Sequence, residues 1–274
     1  MYTILANAVY FSTVFLIIVI LLAIAASCEP LRYYVKFAFI IIATAIPASM
    51  HWPFMLLRIG DWRNALLLTW IVKTAVKLIG LRFEIRGKEN IVKDSGSIVL
   101  INHQIVGELW HLLERCAAVV KKELIYYGTF GLAAWLSGTI FVDRENSKAQ
   151  AKMNAIVKHI KDVKANVLIY PEGHRHSNFT LLPFKKGAFH LAIDTQLPIQ
   201  PVIVSKYYFL NSKRKIFNSG TSYINILPAI PTKGLTKEDL PKLMEDTYRI
   251  MNKRFTETSQ EAINEHINSF EDGK

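Results

Sequence analysis

No charged side chain occurs from Met1 to Cys28, and none from Phe37 to Leu57. A bilayer core takes roughly 20 apolar residues in a helix, so each stretch is long enough to span, and the rest of the chain must fold beside a membrane. A cleaved signal peptide is the other reading of the first stretch; Ala23-Ile24-Ala25 resembles a cleavage site, but the basic start of such peptides is missing. Pro47 and Pro53 lie in the second stretch, and proline interrupts helix hydrogen bonding, so this segment reads as kinked or re-entrant. The expected organisation is a membrane-embedded helical region over residues 1–61 and an α/β domain over residues 62–274, which is enough chain for one sizeable core.

The formal charge is +11. A basic balance fits nucleic acid, anionic lipid or an acidic substrate. Beside two apolar segments, lipid is the stronger reading, and no nucleic-acid module signature accompanies the charge. Cys28 and Cys116 give neither a disulfide framework nor a metal-ligand spacing. The oligomeric state is not legible in the sequence.

Beyond residue 62, short apolar runs alternate with helical patterns. Asn64 to Gly80 reads as an amphipathic helix. Leu81–Arg86 alternates with period two, and Ser97–Ile101 and Val167–Tyr170 are apolar runs of the kind a buried strand gives. Thr139–Val142, Ile199–Ser205 and Tyr223–Leu227 are further strands. Val106–Arg115, Ser147–Lys161 and Lys186–Thr195 are helical, and a stripe from Leu240 to Phe255 closes the pattern. Strands separated by helices predict an α/β fold with a mixed, partly parallel sheet flanked by helices.

In such a sheet, ligands gather at the carboxyl ends of the strands. Two segments put ionisable side chains there. Asn102-His103-Gln104 follows the run ending at Ile101, with Glu108 five residues past the histidine. Five helical residues turn through about 500°, leaving the two side chains about 140° apart; His103 therefore sits in the loop or first turn if Glu108 is to orient it. Tyr170-Pro171-Glu172-Gly173-His174-Arg175 follows Ile169. Gly173 frees the backbone for close approach, and Arg175 offers a donor fork that matches phosphate. An ordinary turn closed by a Glu–Arg ion pair is the competing reading. Lys185 and Lys186 precede a helix, where anions bind readily, or form a solvated basic edge. Arg144 follows the strand ending at Val142. His174 and His176 lack a third metal ligand at sensible spacing and read as polar loop residues; no metal is expected. P-loop, dinucleotide fingerprint and serine-nucleophile elbow are missing.

These blocks, in this order, resemble the 1-acyl-sn-glycerol-3-phosphate (lysophosphatidic acid) acyltransferase family. The matching pieces are Asn102-His103-Gln104, Phe141-Val142-Asp143-Arg144, Tyr170-Pro171-Glu172-Gly173 with Arg175, Leu182 to Ala192, and Pro198 to Val202. The resemblance implies the glycerolipid acyltransferase fold behind two N-terminal membrane helices. It implies transfer of an acyl chain from acyl-CoA to the sn-2 hydroxyl of lysophosphatidic acid, giving phosphatidic acid, with no cofactor beyond the acyl-CoA co-substrate. His103 becomes the general base, assisted by Glu108, and Arg144, Glu172, Gly173 and Arg175 bind the acceptor and its phosphate, with Lys185 and Lys186 as looser candidates. The expected setting is the endoplasmic reticulum membrane with the catalytic domain facing the cytosol. Two departures stand out: the family places Asp where this chain has Glu108, and Thr where it has His174. Glu108 motivates the alternatives of a catalytically weak lysophospholipid-binding relative or an acyltransferase for another lysophospholipid.

Overall fold

The computed structural model describes residues 2–102, 112–142 and 149–271. Seven strands form one sheet in the order β1-β9-β6-β2-β5-β3-β4. They are β1 (Leu81–Arg86), β2 (Ser97–Ile101), β3 (Cys116–Lys121), β4 (Ile140–Val142), β5 (Asn166–Ile169), β6 (Ile199–Val204) and β9 (Gly220–Ile226). All neighbours run parallel except β6 and β9, which are antiparallel. The expected mixed, partly parallel sheet is present. A separate two-stranded hairpin pairs β7 (Leu210–Asn211) with β8 (Ile216–Phe217).

The uninterrupted apolar sequence of β2 follows from burial on both faces. Successive side chains point to opposite sides of a strand, so Ile98 and Leu100 enter one core and Val99 and Ile101 the other. The first core is closed by α5 (Ala149–Val163), α6 (Gly187–Thr195) and α7 (Leu240–Glu271), through Ile160, Phe189, Leu243, Met251 and Phe255. The second is closed by α3 (Asn64–Leu78) and by the N-terminal region, through Val76 and Tyr33. Pro201 sits inside β6, the strand in which the sequence places it.

The N-terminal region consists of α1 (Tyr2–Ser27) and α2 (Glu29–Met55). Two spans were expected; among the described residues one helix, Glu29–Arg58, is long and apolar enough to cross a membrane. Its charges sit at its two ends, which leaves an apolar middle. Of the two expected forms, the re-entrant turn is not seen: the backbone stays helical through Pro47 and Pro53. α2 lies along the domain. Tyr33 at its start is buried with Phe217, and Ala48 and Met55 pack with Ala133 and Leu136 of α4 (Gly128–Leu136). Its outward side carries exposed Ile41, Ile42, Met50 and Phe54.

Three elements were missed in the sequence: β3, α4 and the β7–β8 hairpin. The helix expected over Val106–Arg115 lies largely outside the described residues, and its described end, 112–115, is turn.

Candidate active site

β2, β5, β3, β4 and β6 point the same way, so their carboxyl ends open onto one edge of the sheet. Leu100 stands opposite Ile169. The segments beginning at Asn102 and Tyr170 therefore leave neighbouring strands side by side, at the edge where open α/β sheets bind ligands.

Asn102 is buried, and its side chain does the work of a ladder rung. The amide donates to the Val204 carbonyl (2.9 Å), and its oxygen accepts from the Val204 N–H (2.8 Å). Backbone pairing of β2 with β6 ends one residue earlier, at Ile101 opposite Val202. The exit of β2 is thus tied to β6 immediately before His103. His103, Glu108 and Arg144 themselves lie outside the described residues.

The segment after β5 is organised around Glu172, whose side chain is fully withdrawn from solvent. A buried carboxylate needs partners, and Glu172 accepts from the Leu182 N–H (2.8 Å) and bonds His176 Nε2. His176 Nδ1 accepts from the Asn178 N–H (3.2 Å), so Nε2 carries the ring hydrogen and donates to the carboxylate. His176, read from the sequence as a plain loop residue, is a partner of Glu172. Further bonds hold the loop closed: Gly173 N–H to the Tyr170 carbonyl (3.2 Å) and Lys185 N–H to the Pro171 carbonyl (2.8 Å). α7 secures its far side, where Asn252 accepts from the Leu181 N–H (2.8 Å) and the Tyr248 hydroxyl donates to the Leu181 carbonyl (2.9 Å).

Gly173 has φ +75°, and a Cβ there would lie 2.5 Å from Lys185 Nζ. The glycine thus serves two needs, a left-handed backbone and room for the lysine. Glu172, Gly173 and Lys185 are brought together. Arg175 is exposed on the same loop, near enough to Tyr170 that its charge opposes the rise in phenol pKa caused by burial. Lys186 is exposed at the N-terminus of α6.

Three cations at this edge were not singled out from sequence. Lys121 ends β3 and Lys122 opens the turn that follows it; their signal is a lysine pair closing the apolar run Ala117–Val120. Lys206 follows β6, its ammonium 3.3 Å from the Phe179 ring centroid, and burial lowers its pKa. Among the described residues, no three His, Cys, Asp or Glu side chains gather as a metal would require. The edge thus joins a partnered buried carboxylate to cations that favour an anionic ligand.

An acyltransferase family model matches residues 82–205, a stretch that begins within β1 and runs through β2, β5 and β6. Human 1-acyl-sn-glycerol-3-phosphate acyltransferase beta is 38% identical over 203 residues, 72% of this chain and 73% of that protein. The chain belongs to the 1-acyl-sn-glycerol-3-phosphate acyltransferase family. The human alpha enzyme of that name is 34% identical over 242 residues, 86% of each chain. A crystal structure of a 1-acyl-sn-glycerophosphate acyltransferase from Thermotoga maritima shares the fold, with a TM-score of 0.62 at 20% identity over 83% of this chain and 98% of that one. This member of the family is an O-acyltransferase.

Proposed function

We propose that this acyltransferase moves a fatty acyl chain from acyl-CoA to the sn-2 hydroxyl of lysophosphatidic acid, releasing coenzyme A and phosphatidic acid. The observation that carries the reading is the shared strand edge, where the segments leading to His103 and containing Glu172 emerge side by side. His103 takes the hydroxyl proton as general base, with Glu108 orienting the imidazole. The alkoxide attacks the thioester carbonyl, the tetrahedral adduct collapses, and the departing thiolate receives the proton from His103. Arg144, Arg175, Lys185 and Lys186 hold the acceptor phosphate through charge-assisted hydrogen bonds. Glu172 and Gly173 contribute by fixing the loop that carries Arg175 and meets Lys185. No metal or bound cofactor takes part.

The setting we propose is the endoplasmic reticulum membrane with the catalytic edge in the cytosol. Arg58, Arg63, Lys73 and Lys77 follow the apolar helix, and basic flanks favour the cytoplasmic side. Asn178 in the Asn-Phe-Thr sequon is then unglycosylated, and endoglycosidase leaves the protein's mass unchanged.

The test is transfer of labelled oleoyl from oleoyl-CoA to lysophosphatidic acid by purified wild type, His103→Ala and Glu108→Asp. Transfer that disappears in His103→Ala supports the reading. Glu108 in place of the family's aspartate favours a second reading, a weak lysophospholipid-binding relative or an enzyme for another lysophospholipid. No transfer by wild type where a relative works, with lysophospholipid still bound, would select it.

A further inference from the structure

The β7–β8 hairpin is held against the start of α2 by aromatic packing. Phe217 is buried, with its ring centroid 5.1 Å from Phe37 and 6.5 Å from Tyr33. Arg32 Nη2 donates to Asn218 Oδ1 at 2.7 Å. The hairpin tip reads Ser212-Lys213-Arg214-Lys215, and its turn is closed by the Arg214 N–H to Asn211 Oδ1 at 3.0 Å. Lys215 reaches back over the helix, its ammonium 5.2 Å from the Tyr33 ring and 5.6 Å from Tyr34. Lys36 lies 5.2 Å from the Phe217 ring. Five cations, Arg32, Lys36, Lys213, Arg214 and Lys215, are therefore gathered from two distant parts of the chain. Glu29, 3.7 Å from Arg32, is the acidic side chain paired within this group.

The neighbouring surface gives this cluster its meaning. The same turns of α2 expose Leu31, Tyr34, Val35 and Phe39, and the exposed apolar side continues through Ile41 and Ile42. A soluble anion needs no such border. A bilayer does: it offers negative headgroups and, a few ångströms deeper, hydrocarbon, and it favours cations and tyrosine where the two meet. The aromatic rings under Lys36 and Lys215 support the lysine stems, so the ammonium groups stay at a set level beside the apolar side.

We propose that the hairpin tip and the first turns of α2 form one basic platform that docks on the anionic phospholipid headgroups of a bilayer. The platform rests on the reading of α2 as membrane-associated and is independent of the acyl-transfer reading. Each Lys or Arg near a charged membrane surface strengthens attraction about five-fold, and salt weakens it within a Debye length.

The test uses the full chain in nanodiscs of phosphatidylcholine with phosphatidylglycerol, measuring enrichment of a spin-labelled anionic lipid over its phosphatidylcholine counterpart at the protein. Wild type is expected to enrich the anionic lipid several-fold at low salt and little at high salt. K213Q/R214Q/K215Q is expected to lose most of that preference, K213R/K215R to keep it, and K233Q/K237Q/K242Q, on the segment entering α7, to leave it unchanged. Equal enrichment in wild type and the hairpin glutamine variant would overturn the proposal, as would its loss in the arginine variant. A protein that enriches anionic lipid as expected but transfers no acyl chain would sink the acyl-transfer reading and leave the platform standing.

Discussion

The side chain of Asn102 pairs with both backbone polar groups of Val204, donating to one and accepting from the other. Asn102 is only 2% exposed, so both bonds are shielded from bulk solvent. Asn102→Ala orphans two buried backbone groups, each at about 1–3 kcal/mol, and is expected to destabilise by roughly 2–6 kcal/mol. Denaturant midpoints in detergent check the stability, and acyl transfer by the folded fraction checks the second expectation, that activity falls because the residue before the proposed base is no longer held.

Glu172→Gln keeps an oxygen for the Leu182 N–H but surrenders the charge that engages His176. The fold is expected to survive with about 1.5–3 kcal/mol lost, the range for a hydrogen bond to a charged group. Turnover is expected to suffer more, on the order of 100-fold, because small displacements of positioning groups are costly. Thermal unfolding beside steady-state kinetics separates the two effects.

Gly173→Ala meets the left-handed backbone and the Lys185 ammonium together. The backbone cost is about 1–2 kcal/mol. The lysine moves aside, so KM for the phosphorylated acceptor is expected to rise several-fold while KM for acyl-CoA changes little. Unchanged acceptor KM would argue that Lys185 does not touch the acceptor.

Asp61 caps the turn into α3, accepting from the Arg63 N–H (2.9 Å) and its guanidinium (3.0 Å). Those bonds hold its carboxyl below the ordinary 3.8. A depressed folded pKa contributes stability above the unfolded value and loses it as pH falls through the folded one. Asp61→Asn is therefore expected to cost up to about 1 kcal/mol at neutral pH, the upper range for a solvent-screened pair. The difference from wild type should fade below pH 3.8. Unfolding followed at pH 7 and pH 3 checks it.

Much of this arrangement was legible in the sequence because burial writes itself plainly. Ser97–Ile101 and Val167–Tyr170 each hold an unbroken apolar run, Ile98–Ile101 and Val167–Ile169, as double-faced strands must, and the observed β2 and β5 match them to within a residue. β3 escaped notice because Cys-Ala-Ala-Val-Val-Lys is alanine-rich and only partly buried along most of its length. α4 escaped because Gly128 and Gly131 interrupt an otherwise apolar run. With β3 went Lys121 and Lys122, cations recognisable only once their strand is known to open onto the ligand edge. His176 was illegible for another reason. Its meaning depends on the tight loop that returns it to Glu172, and loop closure leaves no periodic trace.

Tyr33 and Met55, near opposite ends of α2, are both counted among the enzyme's own buried residues. Each large apolar side chain so buried is worth about 1.5–3 kcal/mol. A truncated chain beginning at Trp62 would bare Phe217 and Leu136, exchanging a greasy exterior for a raw interior, and would aggregate for want of folding partners. The apolar helix and the sheet that carries the proposed site are built as one piece, and neither can be cut away without opening the core of the other.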